Sequence, residues 1–132
     1  MNRTIDILKI IYALFYLVIG LRGIVAYLGL MPTPNFDMSD PARQFQNALA
    51  ATGFVMEIVS AVFFVAGTLM LFKRTTPLGL ILLAPLVVVI LFNHLMLQGS
   101  AIWGVSHAVL LAVFAWSYRD AFSSLWNYSA DR

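Results

Sequence analysis

Charged residues in this chain come in short bursts separated by long apolar runs, and the runs define the elements. Between Arg74 and Arg119 lie 44 residues without a formal charge. As one helix they would measure about 66 Å at ~1.5 Å per residue, roughly twice the ~30 Å hydrocarbon core of a bilayer. The run therefore predicts two crossings, 77–98 and 101–118, joined by a turn at Gly99-Ser100. Thr76 is expected to cap the first of these, with Pro77 in its first turn, where a missing N–H costs nothing. Pro85, in mid-span, is expected to remove the hydrogen bond to the Ile81 carbonyl and kink the helix.

The first half shows two more apolar runs, each interrupted by one charge. Ile10–Leu30 contains Arg22, and Thr52–Phe72 contains Glu57. Each is about 21 residues, long enough to cross. Between them, Met31 to Asp40 carries two prolines and two acids and reads as a loop. Asp40-Pro41 then reads as N-cap and first helical residue. The helix it opens is expected to run on for nearly ten residues before entering the membrane as the second span. Gln44, Gln46 and Asn47 make that stretch polar, while Phe45 and Leu49 suit a lipid surface. After Arg119, Phe122, Leu125 and Trp126 recur at i, i+3, i+4, the pattern of a short interfacial helix. The expected fold class is all-α: a four-transmembrane-helix bundle with an interfacial C-terminal helix, residues 1–132 forming one integral membrane domain. A cleaved signal peptide fits the start less well, because Arg22 follows the apolar stretch and no small-x-small cleavage site is evident.

Composition agrees with the pattern. Hydrophobic residues make up 61% and charged residues 11%, against roughly a quarter charged in soluble domains; so few charges could not cover a surface against water. Mean hydropathy is +0.88. A net charge of +2 is no basic footprint, which excludes a nucleic-acid partner. The absence of cysteine excludes disulfides, thiolate chemistry and covalent haem attachment. With four spans, Arg3, Lys9, Lys73, Arg74, Arg119 and Arg132 share one side, Arg43 lies on the other and Arg22 within a span. That six-to-one bias predicts insertion in the cytoplasmic (inner) membrane with both termini cytoplasmic. Trp103 near one end of the fourth span, and Trp116 and Tyr118 near the other, suit the two interfaces.

Charges in hydrocarbon cost at least about 2.5–3.5 kcal/mol at the bilayer centre on insertion scales, so each invites a partner. Counted from the expected span ends, Arg22, Glu57, His94 and His107 all fall roughly 6–12 Å below the outer surface, with the amides of Asn93 and Gln98 close by. This layer has two readings. It is polar glue, with Arg22 and Glu57 paired and the histidines bridging helices, or it is a substrate, quinone or proton site. Glu57 shares a helix face with Ser60, Ala61, Phe64 and Thr68, a small and polar stripe suited to an interior. Gly104, Ala108 and Ala112 form a small-xxx-small stripe beside His107 that permits close helix approach. His94 is the residue expected to carry function, donating a hydrogen bond to a ligand carbonyl or passing a proton. Metal binding is the weaker option: the two histidines and one carboxylate lie on three helices without ExxH or HxxxH spacing, and no metal site is assigned. No P-loop, dinucleotide fingerprint or nucleophile elbow occurs.

Residues 48–97, ALAATGFVMEIVSAVFFVAGTLMLFKRTTPLGLILLAPLVVVILFNHLML, resemble the DoxX-like family of small four-helix membrane proteins. The shared features are the ALxATG opening, Glu57 followed ten residues on by Gly67, the run from Pro77 through Pro85 to His94, and Tyr118–Phe122. Val89 stands where relatives often carry an asparagine. The family is similar to the membrane subunit of thiosulfate:quinone oxidoreductase. The resemblance therefore implies a redox-complex protein partner and a quinone as the possible cofactor or ligand, and it marks Glu57, Pro85 and His94. Three function classes follow: an accessory or quinone-interacting component of a membrane redox system, a small proton-coupled carrier using Glu57, or a non-catalytic scaffold subunit. A homo-oligomer fits any of the three.

Overall fold

The structure, a computed structural model, describes residues 2–126; Arg132 of the basic set lies outside them. Among the described residues there are helices and turns and no strand. They comprise α1 (Arg3–Tyr27), α2 (Asp40–Ala51), α3 (Val55–Leu71), α4 (Thr76–Phe92) running on into a π-helical segment (Asn93–Gln98), α5 (Ala101–Ser117) and α6 (Arg119–Trp126). Two helical stretches are long and apolar enough to cross a membrane by themselves, Arg3–Tyr27 and Thr76–Gln98. α2 with α3, and α5 with α6, pass the same test only as pairs, bent by 96° and 76°.

The element boundaries differ from expectation where local chemistry intervenes. The second span is not continuous with the helix begun at Pro41. Gly53 takes φ +74°, a left-handed conformation that suits glycine and stops a helix. Beside it, the Thr52 hydroxyl donates to the Leu49 carbonyl at 2.6 Å and accepts from Val55 N–H at 3.2 Å, so α3 starts afresh in a new direction. The N-cap of α2 is Ser39, whose hydroxyl accepts from Ala42 N–H; Asp40 is the first helical residue, where its charge complements the helix dipole. Thr76 likewise begins α4 without capping it, its hydroxyl donating to the Phe72 carbonyl at 2.9 Å. α4 continues through Pro85 without a break, and the departure from α geometry comes later, as the π turn that starts at Asn93. α1 ends at Tyr27, short of Leu30, because Gly29 turns left-handed (φ +73°) and Leu30 N–H closes on the Val25 carbonyl. The turn at Gly99 (φ +69°) and the loop over 31–39 match the expectation from sequence.

Glycines set how closely the helices approach. A Cβ on Gly67 of α3 would lie 2.5 Å from Leu17 N and 2.7 Å from the Ala13 carbonyl of α1. Further along, Gly20 of α1 meets the backbone of Ser60 and Phe64. α1 and α3 therefore run antiparallel with backbones in contact. Gly79 seats α4 against Ala66 and Met70, and Gly104 seats α5 against Leu91 and His94. The order α1–α3–α4–α5 leaves a seam between α1 and α5, filled by rings: Tyr12, Phe15 and Tyr16 against Trp103, His107 and Phe114.

Polarity runs inward. Large apolar side chains face out along every long helix, among them Val18 (57% exposed), Ile58 (56%), Val88 (49%) and Val109 (54%). Lys9, Thr76, His107, Tyr12 and Tyr16 are buried. An exposed apolar shell of this extent around a partly polar core marks a surface made for something other than water. Lys9, counted from sequence with the loop charges, is in fact a core residue, 2% exposed, its ammonium donating to the Thr76 hydroxyl at 3.4 Å. Asp6 and Lys73 pair at 3.1 Å at the same end. At the opposite end the 31–39 segment is tied to the π segment.

Candidate functional site

That tie builds the mouth of a cavity. Ser39 donates through its hydroxyl to the Leu97 carbonyl (2.6 Å) and through its N–H to Gln98 Oε1 (3.0 Å), while Gln98 Nε2 donates to the Asp37 carbonyl (3.1 Å). Beneath this strap lies a cavity of about 350 Å³, within the range of small-molecule sites. Its walls are aromatic: Phe15 and Tyr16 from α1, Phe36 from the strap, Phe63 from α3 and Trp103 from α5. Its polar groups are Asp37, Gln46, Asn93, His94, Gln98 and His107.

Each polar group has a distinct local setting. His94 stands on the π segment, and its Nδ1 lies 2.9 Å from the Ile90 carbonyl of its own helix. π turns recur at functional sites because the widened turn re-aims side chains. His107 is 7% exposed. Its Nδ1 is 2.8 Å from the Tyr16 hydroxyl, and its own carbonyl accepts from Tyr12 Oη at 3.0 Å. Phe15 and Trp103 rings lie 4.9 and 5.0 Å from the imidazole. Two tyrosines of one helix thus hold one histidine, one at its ring and the other at its backbone carbonyl. Gln98 spends its amide on the strap, so its role is to position Asp37 and Ser39.

The structure brings Asn93, His94, Gln98 and His107 into one cavity and leaves Arg22 and Glu57 out of it. Arg22 is exposed, and the expected Arg22–Glu57 pair does not form; among the described residues the ion pairs are Lys73–Asp6 and Arg119–Asp120. Instead Glu57 Oε2 is buried without a hydrogen-bond partner. The physical reason is register. Arg22 follows Tyr16 by six residues, and Glu57 precedes Phe63 by six. On a helix that spacing carries a side chain about 9 Å along the axis and about 120° around it, away from the cavity face. Part of the stripe expected beside Glu57 serves packing: Ser60 and Phe64 meet Gly20 and Gly23 of α1. Among the described residues no three His, Asp or Glu side chains are placed to hold a metal ion.

Sequence reasoning missed Tyr12 and Tyr16. Their signal was the i, i+3, i+4, i+7 stripe of Tyr12, Phe15, Tyr16 and Ile19, three of which line the cavity. No protein-family model, curated protein or solved structure matches this chain.

Proposed function

We propose that this chain is an integral protein of the cytoplasmic membrane, a DoxX-like four-transmembrane-helix bundle. In this reading it holds a quinone or another small lipid-soluble ring compound as an accessory component of a membrane redox system. The cavity carries this reading. It combines flat aromatic walls, two histidines and a volume suited to one substituted ring, inside helices whose outer faces are apolar. Aromatic walls favour stacked or edge-on rings, and a few placed polar groups fix orientation. The resemblance of residues 48–97 to DoxX-like proteins supports the redox setting and a protein partner. Both termini are assigned to the cytoplasm by the basic bias, and α6 to the membrane surface by its apolar Phe122 and Leu125.

The test is the organic extract of protein purified in mild detergent. Quinone or a related ring compound should be enriched over the bulk membrane extract, and added quinone should quench Trp103 emission. Extracts without enrichment, together with unchanged emission, would sink the reading. A second reading rests on the unpartnered buried oxygen of Glu57: a small carrier in which this carboxylate takes up and releases a proton. It requires substrate flux in proteoliposomes that depends on pH and is abolished in Glu57→Gln.

A further inference from the structure

One of the two cavity histidines has its hydrogen-bonding role assigned by a neighbour. A backbone carbonyl can only accept, so the contact with Ile90 makes His94 Nδ1 the N–H donor. In the neutral ring Nε2 is then a bare acceptor. Donation to a ligand carbonyl, expected from sequence, is therefore closed to neutral His94, whose donor is spent on its own helix. For His107 either tautomer fits: its Nδ1 faces the Tyr16 hydroxyl, which can donate or accept, and Tyr16 also reaches the Tyr12 hydroxyl. The two histidines stand on helices that touch at Gly104, which meets His94 Cβ and lies one turn from His107. Among the described residues no lysine or arginine lines the cavity, and Asp37 adds only acceptors. The amides of Gln46 and Asn93 serve in either role.

We propose that the cavity selects its ligand through a ring hydroxyl, which donates to His94 Nε2. This rests on the cavity being a site for a lipid-soluble ring compound. A hydroxyl gives His94 Nε2 the proton it lacks. A carbonyl or ether oxygen leaves His94 Nε2 facing it without a proton, and a polar group left unpaired against the ligand is what rejects the wrong one. The site therefore holds a phenol or quinol more tightly than the corresponding ether or quinone.

The test compares 3,5-dimethylphenol with 3,5-dimethylanisole, the same ring with its donor blocked, on the full chain in nanodiscs. Trp116→Phe and Trp126→Phe leave Trp103 as the reporter. The phenol should bind about tenfold tighter than its methyl ether, the selectivity of one hydrogen bond. His94→Leu should erase the difference, the two probes then binding within about twofold of each other, and their measurable binding also reports an intact cavity. Equal affinities in the unsubstituted cavity overturn the proposal, and that comparison needs no folded variant. A preference that survives His94→Leu overturns it as well. Binding of neither probe removes the ring-ligand reading itself, and this inference with it.

Discussion

Gly67 offers the sharpest test of how the bundle is held together. A methyl at this position would meet Leu17 N at 2.5 Å, the Ala13 carbonyl at 2.7 Å and Leu17 Cα at 2.8 Å, all of them backbone atoms of α1. Ordinary carbon contacts begin near 3.5 Å, so Gly67→Ala requires α1 and α3 to separate by about 1 Å. No rotamer change relieves it. Overpacking of this kind costs about 1–3 kcal/mol, and a clash with rigid backbone belongs at the upper end. Alanine returns about 1 kcal/mol through helix propensity, leaving a net loss of about 2 kcal/mol. The midpoint of thermal unfolding in detergent, followed by intrinsic fluorescence, should fall by several degrees, with Val65→Ala on the exposed face of α3 as control. Leu17→Ala should not rescue the variant, because the obstruction is the backbone of Leu17 and not its side chain. At Gly23 the obstructing group is the Ser60 side chain, so Gly23→Ala should be rescued by Ser60→Gly. Gly67→Ala at or above wild-type stability would refute the close approach of α1 and α3.

Gln98→Leu removes the acceptor of Ser39 N–H and the donor to the Asp37 carbonyl. It should raise hydrogen exchange at Ser39 and its neighbours and weaken ligand binding severalfold, with little effect on the α1–α3 interface; unchanged exchange would show that Gln98 does not hold the strap. For the proposed orientation, single cysteines at Asn35 and Ser100 should label from outside intact cells and a cysteine at Thr75 only after lysis. Labelling of Thr75 from outside would reverse the bundle in the membrane.

What was legible in the sequence was whatever depends on hydrophobicity along one segment. Four apolar runs, the non-helical 31–39 segment and the Gly99 turn follow from local composition; each run falls on a helix, though only Arg3–Tyr27 and Thr76–Gln98 are long and apolar enough to cross a membrane by themselves. The errors arose where one residue's backbone state redirects the chain. Gly53 looked like part of an apolar helix, yet its left-handed φ separates α2 from α3 by a 96° bend, and nothing in hydropathy distinguishes it from Gly67 in mid-helix. The site was half legible for a related reason. Counting residues from span ends gives depth but not rotation. His94 and His107 share a cavity because Gly104 brings α5 against the π segment, whereas Arg22 and Glu57 at similar nominal depth point elsewhere. Tyr12 and Tyr16 went unnoticed because tyrosine counts as apolar inside a hydrophobic run, although a hydroxyl buried there needs a partner. Tyr16 meets that need with His107 Nδ1 and Tyr12 with the His107 carbonyl. The same requirement reads in reverse: a buried histidine must be oriented by something, and in a span without carboxylates or amides the nearest hydroxyl stripe on another helix is the candidate. For His107 that partner is the pair Tyr12 and Tyr16 on α1, and the two contacts hold α5 beside α1.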